Sequence, residues 1–375
     1  MTPDRRPLYE ELGIRTFINA MGTITTIGGS IMPNEVTDAM VEASRHFVML
    51  GEFQEKAGER IAALTGAEAA FICAGAASGM LLAGAACLTG TDTSAVEALP
   101  ETAGRPNEFV ISLVDSHHYI HQGFRVCGGV VVPAGTESGV SAREYAEVMT
   151  EKTAALVFFL GSQSKEDLAG VIDVAHRAGI PVIVDAAAQL PPKSNLTAIT
   201  AMGADLVCFS GGKGLCGPQS SGLVLGTNEL VRAVALNSSP NSAIGRGMKV
   251  GKKEIAGLLK AVELFMMMDE DVVIAAWEQR CHVIGEVARQ RQGLRFEYDP
   301  PYTQKFPPAA PIARLCFEAG PYSAERVNAG LRSGVPAIMA GWNEDSISFG
   351  PQTLQEGEAE VIASRLLEIL QPLQA

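Results

Sequence analysis

Asp205-Leu206-Val207-Cys208-Phe209-Ser210-Gly211-Gly212-Lys213-Gly214 is the stretch from which the fold of this chain is read. An apolar run of strand length ends at a serine and passes into a glycine turn that carries one long cation. A run that is apolar at consecutive positions is a strand covered on both faces, which calls for helices on either side of a mostly parallel sheet. Earlier in the chain, Ile180-Pro181-Val182-Ile183-Val184 is a strand of the same kind and ends in Asp185 followed by three alanines. Further strand candidates are Ala69–Cys73, Phe109–Val114, Gly129–Val132, Ala155–Leu160 and Gly222–Leu225. Helical spacing fills the intervals, for example Ala77–Leu88, Ala142–Glu151 and Lys165–Ala178. The pattern predicts an α/β domain with a mostly parallel seven-stranded sheet.

Outside that domain, residues 1–50 read as an N-terminal arm and a leading helix. Thr16–Ala20 is a short strand, a polar glycine loop follows at 22–29, and Pro33-Asn34 opens a helix with Val36, Met40, Ala43 and Phe47 at helical spacing. Residues 51–252 make the large domain, with a surface loop expected over Thr91–Asn107. Residues 253–290 read as connecting helices broken near Asp269-Glu270-Asp271. Residues 291–375 read as a smaller α+β domain: strands at Leu294–Tyr298, Ile312–Phe317 and Ser346–Gly350, and helices at Ala324–Ser333 and Glu356–Leu370.

Composition narrows the function classes. The chain has 375 residues, long enough for a large domain and a small one, and a net charge of −13, which argues against a nucleic-acid-binding face. Its seven cysteines are scattered, without a Cys-x-x-Cys pair, and read as reduced thiols in a cytoplasmic protein with no structural zinc. Apolar stretches are interrupted well short of a membrane span, and no apolar signal segment follows Met1–Arg6.

In an open parallel sheet, ligands bind beyond the carboxyl ends of the strands, so the residues delivered there carry the chemistry. An aspartate at one strand end and a lysine at the next, Asp185 and Lys213, form the pair that holds pyridoxal 5'-phosphate: the lysine attaches it covalently and the acid pairs with the pyridinium nitrogen. Taken singly, each has a plainer reading, a helix-capping aspartate and a surface lysine in a turn. Gly75-Ala76-Ala77-Ser78 is a small-residue turn opening a helix, where backbone N–H groups suit a phosphate. Close packing explains the same residues equally well. Ser210 is a second phosphate ligand candidate, Ala187 is small enough to lie under the ring, and Gln189 follows on the same segment. The run Ser116-His117-His118-Tyr119 offers a flat side chain to stack on the cofactor, His117 or His118, with His121 close by. The acidic ligands and spacing of a metal site are missing.

Five segments carry a resemblance to a known family: Asn19–Thr23, Leu64–Ala70, Val184–Pro192, Phe209–Gln219 and Ile244–Lys252. The chain resembles the selenocysteine-synthase-like group of fold-type-I pyridoxal-phosphate enzymes, nearest its D-glucosaminate-6-phosphate ammonia-lyase-like branch. The resemblance implies a large cofactor domain, a small C-terminal domain, and a homodimer or higher homo-oligomer with active sites at subunit interfaces. The extra N-terminal tRNA-binding domain of bacterial selenocysteine synthase has no counterpart here, so synthesis on tRNA is not expected. In related enzymes the loop matching Arg246, Lys249, Lys252 and Lys253 helps to bind an anionic substrate group. Arg246 and Lys249 are assigned to a substrate phosphate or carboxylate, and Asn19 and Thr26 are placed with them as substrate ligands.

The expectation is a lyase that eliminates and deaminates an anionic amino acid, such as a phosphorylated 2-amino sugar acid, to a 2-keto acid and ammonia, with Lys213 as base at Cα. Racemisation or epimerisation, aldol cleavage and transamination share the first steps and stay open. A catalytically silent scaffold is the reading from outside the enzyme class, and the intact Asp185/Lys213 pair argues against it.

Overall fold

A computed structural model describes residues 8–114, 117–318 and 322–371. Its strands are β1 (Phe17–Ala20), β2 (Ala69–Cys73), β3 (Glu108–Ser112), β4 (Val130–Ala134), β5 (Thr153–Phe159), β6 (Val182–Asp185), β7 (Leu206–Ser210), β8 (Gly222–Gly226), β9 (Leu294–Asp299), β10 (Ile312–Phe317), β11 (Ala337–Trp342) and β12 (Ser346–Phe349). Contacts divide the described residues into two units. One holds residues 25–268 with 305–308; the other holds residues 8–24, 269–304 and the remainder of the C-terminal part. The stretch 253–290, set apart in the sequence reading, is thus divided: the helix Lys252–Met267 falls in the larger unit and Glu270–Arg289 in the smaller.

The larger unit is built on a seven-stranded sheet in the order β2-β8-β7-β6-β5-β3-β4. All neighbours are parallel except those of β8, which runs antiparallel to both β2 and β7. The apolar runs are covered on both faces, as their composition requires. Along β7, Val207 and Phe209 enter one core cluster and Leu206 and Cys208 the other. In β6, Val182 and Val184 likewise part from Ile183, following the two-residue alternation of a strand. Every residue of β5 is buried. The mostly parallel seven-stranded α/β architecture expected from these runs is the one observed.

The smaller unit is a five-stranded sheet, β1-β11-β12-β10-β9, with its own core including Ile18, Leu315, Ile338, Ile347 and Leu366. Two of its strands depart from the expected order. The sequence reading passes over β11, whose Ala-Ile-Met-Ala-Gly-Trp run alternates weakly; β1 pairs with it in parallel, Phe17 to Ala337 through Ala20 to Ala340. A four-residue strand near the N-terminus is therefore completed by residues more than three hundred positions away, which local periodicity does not report.

Two other local expectations need correction. The helix opened at Pro33 ends at Ser44, so Phe47 lies beyond it and is wholly exposed. The expected loop after Thr91 contains a short helix, Thr93–Ala98, capped by the Asp92 side chain on the Ser94 and Ala95 amides. Among the described residues no helix is long and apolar enough to cross a membrane.

Candidate active site

Beyond β7 the chain turns through Ser210–Ser221 and returns as β8, with Ser210 opposite Gly222. Backbone bonds knit the turn: Gly211 N–H donates to Ser221 O (2.9 Å), Gly217 N–H to Gly211 O (2.8 Å) and Cys216 N–H to Lys213 O (2.9 Å). The glycines around Lys213 are packing requirements. A Cβ at Gly214 would stand 2.1 Å from Leu190 O, one at Gly212 2.5 Å from Gln219 Cα, and one at Gly211 2.0 Å from Ser221 Oγ. The lysine turn is therefore pressed against the segment that follows Asp185. Cys216 takes a left-handed φ of +53°, rare for a residue with a side chain.

The N-terminal glycine loop lies on this turn. Ser30 Oγ donates to Gly212 O (3.0 Å), Gln219 Nε2 donates to Thr25 O (2.8 Å), and a Cβ at Gly29 would stand 2.5 Å from Gly212 O. This brings Thr26, exposed on the short 3-10 turn Thr25–Ile27, to the neighbourhood of Lys213. Ser30 and Gln219 are absent from the sequence-based site; both face the turn only through folding.

Asp185 closes β6, in register with Phe159 on β5 and Cys208 on β7. Its Oδ1 accepts the Ala187 N–H at 2.9 Å, which fixes the carboxylate at the strand end and curls the alanine segment over it. Burial pushes the Lys213 ammonium below the usual lysine range, and the negative charge of Asp185 acts in the opposite sense, raising it. The two residues thus share one electrostatic environment at the ends of adjacent strands. Ser210 is half-buried beside them. Gln189 is buried, its Nε2 donating to Lys305 O (2.9 Å) and its carbonyl accepting Asn195 Nδ2 (2.7 Å). The structure thus commits the Gln189 amide nitrogen to holding two loops together.

β2 delivers the small-residue turn. Gly75 has φ +106° and precedes the helix Ala76–Thr89, which no side chain caps. A Cβ added at Gly75 would meet nothing within 4 Å, and no side chain caps the helix-start amides that follow it. Ser78 Oγ donates to Ala74 O at 3.1 Å, leaving its lone pairs to accept. Gly222, which the sequence reading took only as a strand residue, is needed here: a Cβ on it would stand 2.4 Å from the Gly75 carbonyl carbon.

His117 caps the helix His118–Val126, and both His117 and His118 are exposed. His117 meets Tyr119 edge-on at 5.5 Å between ring centroids, and His118 meets His121 at 5.9 Å. The buried member is His121, stacked on Phe159 at 6.2 Å and 18°. Because Phe159 is the register partner of Asp185, His121 is a candidate that sequence reasoning mentioned without assigning; its i,i+3 spacing from His118 was the available signal. Ser116 of that run lies outside the described residues.

The basic cluster separates into two kinds of residue. Arg246 sits in a turn held by Gly245 N–H on Asn237 O (2.9 Å) and Met248 N–H on Gly245 O (2.9 Å). Asn237 is buried and donates from Nδ2 to Thr89 Oγ1 at 2.8 Å, fastening this turn to the C-terminal end of the helix that begins at Gly75. Arg246, Lys249 and Lys253 are exposed and make no ion pair among the described residues. Lys252 instead donates to the His46 carbonyl and lies over the Phe47 ring. Asn19 belongs to the smaller unit, where its amide donates to Gly22 O (3.0 Å) and its oxygen accepts the Met21 N–H (2.9 Å).

Residues 17–275 match the family profile of L-seryl-tRNA selenium transferase, SelA. The chain is 31% identical to D-glucosaminate-6-phosphate ammonia lyase of Salmonella typhimurium over 98% of both proteins. It is equally 31% identical to 5'-C-glycyluridine monooxygenase-decarboxylase of a Streptomyces species, over 96% of this chain and 92% of that protein. L-seryl-tRNA(Sec) selenium transferase of Solidesulfovibrio magneticus matches at 24% identity over 96% of this chain and 83% of its own length. The solved structure of a D-glucosaminate-6-phosphate ammonia-lyase superimposes with a TM-score of 0.83 at 30% identity, covering 99% of each chain.

Proposed function

The chain belongs to the L-seryl-tRNA selenium transferase (SelA) family, and from that premise we propose that it is a pyridoxal-phosphate-dependent lyase acting on an anionic amino acid, such as a phosphorylated 2-amino sugar acid. The products are a 2-keto acid and ammonia, as the similarity to an ammonia lyase over nearly the whole chain supports. The observation that carries the reading is the pairing of a half-buried Lys213, its pKa lowered by burial, with the Asp185 carboxylate at the end of the adjacent strand.

The residues fit the cofactor at both of its poles. Asp185 would pair with the ring nitrogen, and the uncapped Gly75–Ser78 turn, with Ser210, would hold the phosphate. Ala187 and a histidine of the 117–121 group would flank the ring. When bound, pyridoxal phosphate supplies an electron sink for the pair left at Cα. Lys213 would hold it, and the lowered pKa would give the free amine a larger neutral fraction, suiting it to take the Cα proton of the substrate. Loss of the β-hydroxyl as water and hydrolysis of the product release ammonia and the 2-keto acid. Arg246 and Lys249, exposed and free of ion pairs among the described residues, bind the substrate anion, with Thr26 on the glycine loop as a further ligand. We also propose a cytoplasmic homo-oligomer whose active sites lie at subunit interfaces, where exposed cations of one copy can serve its neighbour.

A relative of equal identity carries a different activity, so the fate of the substrate after Cα is the point to test. Purified protein supplied with pyridoxal phosphate is expected to turn yellow, and Lys213→Ala to lose the borohydride-fixable band. D-glucosaminate 6-phosphate is then expected to yield ammonia and a 2-keto acid. Absence of both products, with deuterium exchange at Cα of another amino acid, would replace the lyase with a racemase.

A further inference from the structure

Phe47 stands with 103% of its reference surface exposed, in the run Arg45-His46-Phe47-Val48-Met49 between two helices. A wholly exposed aromatic ring followed by an exposed valine and methionine is unusual on a surface that faces only water. The ring is not loose. Lys252 Nζ lies 5.2 Å from its centroid and also donates to the His46 carbonyl, so the projection is held ready before anything meets it.

Three residues further on begins the wall of a cavity of about 680 Å³ at the β2 edge of the seven-stranded sheet. Leu50 and Ala62 on one helix, Phe71 on β2, Val231 on another helix, and Val250 and Ile255 give it an apolar lining. Glu55 and Glu68 add negative charge, Glu59 is paired with Lys56 at 2.8 Å, and Arg232 is a cation of the lining. The projection carries the opposite sign: Lys252 lies over the ring, and Arg45 stands two positions before it in the chain. One chain therefore displays both a rigid apolar knob with basic flanks and an apolar cavity with an acidic rim, separated by a few residues.

Knob and cavity on one molecule are what a two-fold interface uses, because residue i of each copy meets residue j of the other. We propose that a second copy of this chain occupies the cavity, inserting its Phe47 ring while Arg45 and Lys252 face Glu55 and Glu68. This goes beyond an oligomer in general: it names the surface and its central anchor. Pro240, Asn241 and Val250, which line the same cavity, bracket the Arg246 turn, so docking there would also immobilise that turn.

Sedimentation velocity on the full chain tests the proposal without any substrate, so its outcome is independent of the reaction assigned above. The wild type is expected to sediment as a dimer or larger assembly. Phe47→Asp is expected to weaken self-association by about 30-fold or more, the effect of losing a central anchor. Its circular dichroism should be unchanged, since the ring touches no core. A second measurement locates the contact: Phe47→p-benzoylphenylalanine, irradiated, is expected to cross-link to a second copy within residues 50–71 or 228–255. A monomeric wild type, an unaltered assembly in Phe47→Asp, or cross-links to any other surface would each overturn the proposal.

Discussion

The Lys213 turn and the Arg246 turn both present a cation among glycines, yet the fold treats them oppositely. Around Lys213, glycines 211, 212 and 214 are each pressed against backbone or side-chain atoms at 2.0–2.5 Å from where a Cβ would stand. Around Arg246, Gly245 alone is so confined; Gly247 would accept a Cβ without meeting anything within 4 Å. The lysine is half-buried and electrostatically coupled to Asp185, whereas the arginine is exposed, its turn fastened through Gly245 and the buried Asn237–Thr89 bond. The difference teaches why the two proposed jobs suit these places: a proton-transfer group needs an environment that shifts its pKa, and an anion ligand needs only a stable charge and reach.

The comparison breaks first at the lysine itself. Lys213→Ala is expected to lower turnover by about a thousandfold or more, the scale of a general base, in steady-state ammonia release. Next, Gly214→Ala should cost about 2–3 kcal/mol in denaturant unfolding, because the atom met is the Leu190 carbonyl oxygen and cannot swing aside. Gly247→Ala should stay within about 0.5 kcal/mol of wild type in the same experiment. Equal costs at the two glycines would show that the turns are not held differently. Arg246→Ala is expected to raise KM for the phosphorylated substrate about tenfold with little change in kcat or stability, the signature of uniform binding. A fall in kcat alone would move Arg246 into the chemistry.

The smallest effect is a pH dependence. Lys213 has a folded-state pKa below its usual 10.5, so the unfolded chain binds more protons between the lowered value and that of free lysine. Stability of the cofactor-free protein should therefore rise as pH increases through this window. Below it both states are protonated and the full cost of burying the ammonium applies; above it both are neutral. Lys213→Met should remove that slope in thermal melts taken across the window, and a slope that survives would place its origin in another group.

Much of the sheet was legible in the chain, and so were the positions of the two residues on which the proposed site rests. β5, β6 and β7 declared themselves by unbroken apolar runs, and Asp185 and Lys213 by following them directly. Other parts were not. The parallel pairing of β1 with β11 joins positions more than three hundred apart, and a weakly alternating run hides β11. His121 gained its claim over His117 and His118 by burial against Phe159, a contact between a helix and the end of a strand distant in sequence. Phe47 fitted a helical period and was read as part of the helix opened at Pro33, but that helix ends three residues earlier. Ser30 carries no motif and Gln219 only closes the Phe209–Gln219 segment; both are set on the lysine turn because the N-terminal loop folds back on it.

Covalent order and residue type determined, by themselves, which groups stand at the carboxyl ends of the strands, since period and apolarity depend only on neighbours in sequence. Tertiary structure decided what those groups can do. The lowered pKa of Lys213, the necessity of each glycine around it and the exposure of Phe47 depend on atoms distant in sequence, because burial, steric exclusion and charge act through space.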